Sequence, residues 1–318
     1  MNIDTPGGIV FTVFSSLSSV FYVIVIAVIL KHKELRESLF FMLNVAMGIS
    51  DIGNTCMLYL MLRTQYFREL IYNHLGPQNA LSFLCTSGYQ FFNDTQKYFI
   101  AVIALNRFTA VVFPSAHKKI WTKQVCVIIT FLIYVVNVAL NLVIEIVSPS
   151  LMRVERNRLV CRMTSQAVYH GHLQLNIYLT ISSGFSLCCL YAVIIASLVW
   201  NRKKLKGSSR QSTKFYNIEV KLTFCVLFHV FFLAVDAFST AMMFVIKVKK
   251  YEFTIVNFIA QDILSVSNPY LLLIFSTQLR RKLCPCMIVI TYKPRVRTVS
   301  QNNNLVPGGA PKIVRWTF

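Results

Sequence analysis

Charge is scarce in this chain. Only 14% of its 318 residues are Asp, Glu, Lys or Arg, and just 12 are acidic. A soluble domain carries about 25%, so water is not the solvent for most of this sequence. Enzyme signatures are missing as well. There is no metal-ligand spacing, no nucleophile elbow and no phosphate-binding loop. No metal, no other cofactor and no covalent chemistry are therefore expected. Residues 1–7 hold no Lys or Arg, and the apolar run behind them is too long for a secretory leader. That run is read as a retained span. No repeat, low-complexity tract or separate soluble domain is found.

Apolar residues are what the chain has in quantity, at 55% of the total. A membrane-crossing helix needs about 20 of them in a row. Seven runs qualify: 8–30, 38–62, 80–106, 123–147, 173–200, 222–246 and 254–278. The expected fold is an all-α membrane protein, a bundle of seven transmembrane helices spanning residues 8–285. A short amphipathic helix is expected at 278–286, where Arg280, Arg281 and Lys282 suit the inner leaflet. The basic tail, 286–318, is expected to stay disordered in the cytoplasm.

Net charge is +20. The basic residues lie between apolar runs and not in one water-soluble domain, which argues against nucleic acid as a partner. They set orientation and face membrane lipids. With the N-terminus outside, the inner segments hold 22 Lys and Arg and the outer ones 9. The excess puts the C-terminus in the cytoplasm. Seven spans with that orientation are also the layout of G-protein-coupled receptors.

Nine cysteines are present. Cys56, Cys126, Cys188, Cys189 and Cys225 lie in or beside spans, where packing is their default use. Cys284 and Cys286 are cytoplasmic and juxtamembrane, which makes them candidates for S-acylation. Only Cys85 and Cys161 remain on the oxidising side. A disulfide between them would pin the longest outer loop to span three.

Charges inside spans are expensive, at about 2.5–3.5 kcal/mol each near the bilayer centre. Asp51, Asp94 and Lys97 are read as an internal ion-pair network. Asp236 and Asp262 lie higher and are candidates for lining a ligand pocket, together with Tyr89, Gln90, Asn93 and Gln261. Glu145 falls near the outer end of span four. His170 and His172 have no partner pattern. The sequon at Asn93 falls inside a span and is discounted.

Two stretches carry mechanism. Asn106-Arg107-Phe108 closes span three and is similar to the Asp-Arg-Tyr triplet of rhodopsin-like receptors, where the arginine locks the resting state and then meets the G protein. Asn106 stands in the acid's place, so Arg107 needs another partner, for which Glu219 is the candidate. Asn268-Pro269-Tyr270 in span seven is similar to the Asn-Pro-x-x-Tyr motif, with the tyrosine displaced. A proline there bends the helix and offers a hinge.

Taken in order, Leu105 to Pro114 with His117, Ile120 and Trp121, and Asn268 to Ser276 before Leu279-Arg280-Arg281, resemble the nematode serpentine chemoreceptors of class V or the related class gamma. The resemblance covers about residues 8–285. It implies a plasma-membrane receptor of sensory neurons that binds an extracellular small molecule and activates a heterotrimeric G protein. A multi-span transporter or ligand-gated channel is the alternative, on the strength of the intramembrane charges.

Overall fold

The computed structural model describes residues 6–59, 73–74, 80–155, 158–204, 210–245 and 250–283. All of them lie in the first of two units, Met1–Leu283. Cys284 and Cys286 are outside the described residues.

Seven long helices appear among the described residues, one for each expected span. They are α1 (Pro6–Lys31), α2 (Leu39–Met57), α3 (Tyr89–Val112), α4 (Lys123–Val147), α5 (Gln166–Lys204), α6 (Arg210–Val245) and α7 (Lys250–Phe275). Five, α1, α2, α4, α5 and α6, contain a segment long and apolar enough to cross a membrane, and α7 joins them when counted with the short helix that follows it. Helix α3 carries Asp94, Lys97 and Arg107 and sits at the centre of the bundle instead, packed on α2, α4, α5 and α6. Its partners bury those polar groups, and so it needs less apolar surface of its own.

Helix ends follow local chemistry. Thr122 caps α4, its hydroxyl accepting from the Val125 N–H at 3.3 Å. The expected and observed bounds of α4 therefore agree. Helix α3 runs on to Val112, past the expected end at residue 106. Its stop is Phe113, non-helical before Pro114. Pro114 then opens a short inner helix, Pro114–Ile120. Helices α5 and α6 also outrun their apolar runs, because polar helical turns continue beyond the lipid.

The outer connection between α4 and α5 is not the plain loop expected. It folds into an antiparallel hairpin, β1 (Ser150–Glu155) with β2 (Arg158–Met163), Met152 facing Cys161. Met152 and Met163 turn inward and are buried. The Glu145 carboxylate at the end of α4 accepts from the Ser150 N–H at 2.7 Å and from the Ser87 hydroxyl at 3.0 Å. Cys85, in the π-helical turn Leu84–Gly88 ahead of α3, is joined by a disulfide to Cys161, with Cα atoms 6.1 Å apart.

At the other face, α7 stays helical through Pro269. The sharp turn comes at Ser276, where Thr277–Leu283 leaves at 94°. The Ser276 hydroxyl accepts from the Leu279 N–H at 3.1 Å and starts that helix. Lys282 reaches Glu34 in the first inner segment at 3.3 Å.

The core runs through Tyr22, Leu43, Phe99, Ile103, Tyr191 and Leu233. Close approach of α2 depends on two glycines. A methyl group on Gly53 would fall 2.3 Å from the Phe92 ring, and one on Gly48 would fall 2.7 Å from Tyr22. Overpacking of this kind costs about 1–3 kcal/mol. Gly53→Ala is expected to lower the thermal midpoint of the purified protein by several degrees. Gly184→Ala, with nothing within 4 Å of the added carbon, is expected to leave it unchanged.

Candidate functional site

Three polar layers cross the bundle. The outer layer centres on Lys97 of α3. Its ammonium lies 3.9 Å from Asp94 and 4.0 Å from Asp236 of α6, and donates to the Thr180 hydroxyl of α5 at 3.2 Å. Gln261 of α7 donates to Asp236 at 3.3 Å and accepts from the Tyr89 hydroxyl. Gln90 donates to both oxygens of Asp94. One lysine thus ties α3, α5 and α6 together, and Gln261 adds α7. Asp262 accepts from Tyr59 at 3.4 Å, which in turn is bonded to Ser15 of α1. Asn93 is buried.

Asp51 departs from expectation. In place of the expected ion pair, amides hold it: Gln96 donates to one oxygen at 2.7 Å and Asn268 to the other at 3.3 Å. Lys97 is turned toward α5 and α6, which leaves Asp51 to the α3–α7 interior. Asn268 also bonds Tyr22 of α1, and Ser265 accepts from Asn54 and Gln96. This middle layer joins α1, α2, α3 and α7 around a carboxylate fully shielded from solvent. Hydrogen bonds from several helices compensate its burial.

The inner layer belongs to Arg107. It lies inside α3, ahead of the helix end at Val112, and is 5% exposed. Its guanidinium donates to the Asn106 side chain at 2.7 Å and stands 4.6 Å over the Phe40 ring of α2. The Glu219 side chain lies outside the described residues. Phe108 packs edge-on against Phe113, ring centres 5.8 Å apart. The Tyr191 hydroxyl and the Thr223 hydroxyl are buried with no hydrogen-bond partner among the described residues.

Below Arg107 a second cluster fixes the inner helix Pro114–Ile120. Thr109 accepts from the Trp121 indole at 2.8 Å and bonds His117 Nδ1 at 3.0 Å. Burial, with the positive charge of Arg107 behind it, holds His117 below its ordinary pKa. Neutral imidazole is therefore the form that meets Thr109 near pH 7.

Tyr270 is not part of the inner layer. It stacks on Phe21 and bonds Ser18, which fastens α7 to α1. Pro269 is buried next to Asn268.

A cavity of about 270 Å³ opens between α3, α4 and α5. Asp94 and Lys97 reach it, whereas Tyr89, Gln90, Asn93, Asp236, Gln261 and Asp262 are not among its lining residues. Asn137, Asn141, Asn176 and Thr180 are, and sequence reasoning missed them. The signal was there for two. Asn137 and Asn141 sit four apart, hence on one face, in the otherwise apolar α4.

The family model for the serpentine type 7TM GPCR chemoreceptor Srv matches residues 11–289 of the chain. No curated protein matches it.

Proposed function

Because the chain belongs to the Srv family of serpentine 7TM GPCR chemoreceptors, we propose that it binds an extracellular small molecule and activates a heterotrimeric G protein. The receptor domain is residues 8–285, and the tail beyond it is cytoplasmic. The protein works in the plasma membrane of sensory neurons, N-terminus outside. Basic residues concentrate on the inner segments and support that orientation.

One observation carries the reading. Arg107 is a buried guanidinium at the inner end of the central helix, which packs on α5 and α6. A guanidinium is costly to keep there without use. Two buried hydroxyls on the same two helices, of Tyr191 and Thr223, have no partner among the described residues, at about 1–3 kcal/mol each. An arrangement carrying such penalties competes closely with one that opens the inner ends of α5 and α6. The outer layer spans the same two helices through Lys97, Asp236 and Thr180. A ligand that binds better when those contacts rearrange shifts the balance toward the open form, by as much as its affinities differ. Tyr89, Gln90, Asn93, Asp236, Gln261 and Asp262 are the polar groups of the outer half available to it. Asn268 and Pro269 are the hinge in α7.

The deciding experiment is agonist-dependent nucleotide exchange on a co-expressed G protein, with volatile and secreted small molecules as the panel. Solute or ion flux without exchange would overturn the receptor reading. An N-terminal epitope stained on intact cells tests the orientation.

A further inference from the structure

The cavity between α3, α4 and α5 has a chemistry of its own. Asn137 uses its side-chain nitrogen on the Ile133 carbonyl at 3.2 Å, and Asn141 uses its own on the Asn137 carbonyl at 2.9 Å. Both residues are more than nine-tenths buried. Neither amide oxygen has a hydrogen-bond partner among the described residues. Two acceptors thus border the cavity with nothing to accept.

The floor adds charged groups. Lys97 is held by Asp94 at 3.9 Å, by Asp236 behind it at 4.0 Å and by the Thr180 hydroxyl at 3.2 Å. Asp94 is the carboxylate on the lining, where Tyr98 and His172 are the further titratable groups. With the Lys97 ammonium already engaged three ways, a carboxylate entering here would meet Asp94 and two bare acceptors. A cation that also donates hydrogen bonds would share Asp94 and fill those acceptors.

The walls set the rest of the molecule. Leu140, Leu175 and Leu179 line the cavity and are exposed on the outside of the bundle, where hydrocarbon surrounds it. The opening between α4 and α5 therefore faces the bilayer, and its occupant arrives from an apolar phase. The cavity volume, about 270 Å³, lies just below the ~300–1,000 Å³ of drug-sized sites. The occupant is small.

We propose that this cavity is the ligand site and that its ligand is a small amine, protonated at one end and apolar along the rest, seated between Asp94 and the Asn137 and Asn141 oxygens. This deepens, and rests on, the receptor reading above. It moves the ligand away from the α6–α7 side and toward α4.

Heptylamine, heptanol and heptanoate share one apolar length and differ at the head, which makes them the probes. The purified full chain in lipid nanodiscs is titrated with each and its thermal midpoint followed. Heptylamine is expected to raise the midpoint saturably and heptanoate is not. Asp94→Asn is expected to weaken heptylamine about tenfold, the effect of losing one charge-assisted bond. If Asp94→Asn does not fold, Asn141→Leu on the lipid-facing helix carries the same expectation. Equal effects of heptylamine and heptanoate, or unchanged heptylamine affinity in the folded variant, would overturn the site. This readout does not involve a G protein. Saturable heptylamine binding without nucleotide exchange would uphold the site and count against the receptor reading. Exchange driven equally by heptanoate would do the reverse.

Discussion

Arg107→Ala abolishes agonist-dependent nucleotide exchange while the protein still reaches the cell surface: that is the expected result at the inner layer. The two halves of the expectation have separate causes. Surface delivery survives because the substitution removes a buried charge together with its desolvation penalty. Its terminal nitrogen bonds Asn106, an adjacent residue, and its face rests on Phe40. Losing the cation–π contact costs about 0.5–2 kcal/mol, and removing the ion also removes its desolvation penalty. Exchange fails because alanine leaves nothing at the floor of the opened inner face to meet a partner. Arg107→Lys separates charge from shape. Lysine keeps the charge but loses the planar fork and the stacking on Phe40, so partial exchange is expected. The measurement is nucleotide exchange normalised to surface-labelled receptor. Full exchange by the alanine variant would remove the role given to this residue.

The second large effect is expected at the opposite face. Cys161→Ser should cut surface expression several-fold, and Cys85→Ser should match it. The bond closes a separation of 76 residues. A loop of that length corresponds to about 4.5 kcal/mol in the chain-entropy picture. The real figure is smaller, because α3 and α4 remain inserted when the outer face loosens and the chain between them is already short. What is lost is local. Freed from Cys85, β2 still pairs with β1, which is itself anchored through Glu145 and Ser82. The hairpin then frays over the outer ends of α3, α4 and α5. The double variant Cys85→Ser/Cys161→Ser is expected to be no worse than either single one, since each single change already breaks the bond. A double variant with normal surface level and normal thermal midpoint would show that the hairpin holds without the bond.

Much of the architecture was legible from apolar run length, and the reason is physical. Lipid demands a helix wherever it surrounds the chain, so seven runs became seven helices. The bounds of α4 match because a capping threonine and the end of the apolar run coincide at residue 122. The end of α3 did not match, because Arg107 looked like the edge of the lipid. It is a buried interior residue, and Pro114 is the real punctuation. The hairpin was hidden in a polar loop, where pairing depends on Met152 and Met163 finding cover beneath the outer face. Charges within spans pointed to residues that matter for packing, but not to their partners. Lys97 faces Asp236 and Asp51 faces Asn268 because of how the helices are rotated against one another, which no spacing along one helix records. Asn137 and Asn141 could have been found from their four-residue interval on an apolar helix.

Helices α5 and α6 have 39 and 36 residues, or about 58 and 54 Å. The hydrocarbon layer is about 30 Å thick. Both helices are therefore levers that continue well past the membrane. Thr180, where Lys97 grips α5, lies about 21 Å along its helix from Gln166, and about 36 Å of helix separates it from Lys204. A pivot of about 5° at that grip sweeps the inner tip through about 3 Å by the same geometry. Mechanical advantage is thus written into chain length. A contact that shifts by a fraction of an ångström beside Lys97 arrives at the far tips as a displacement the size of a hydrogen bond.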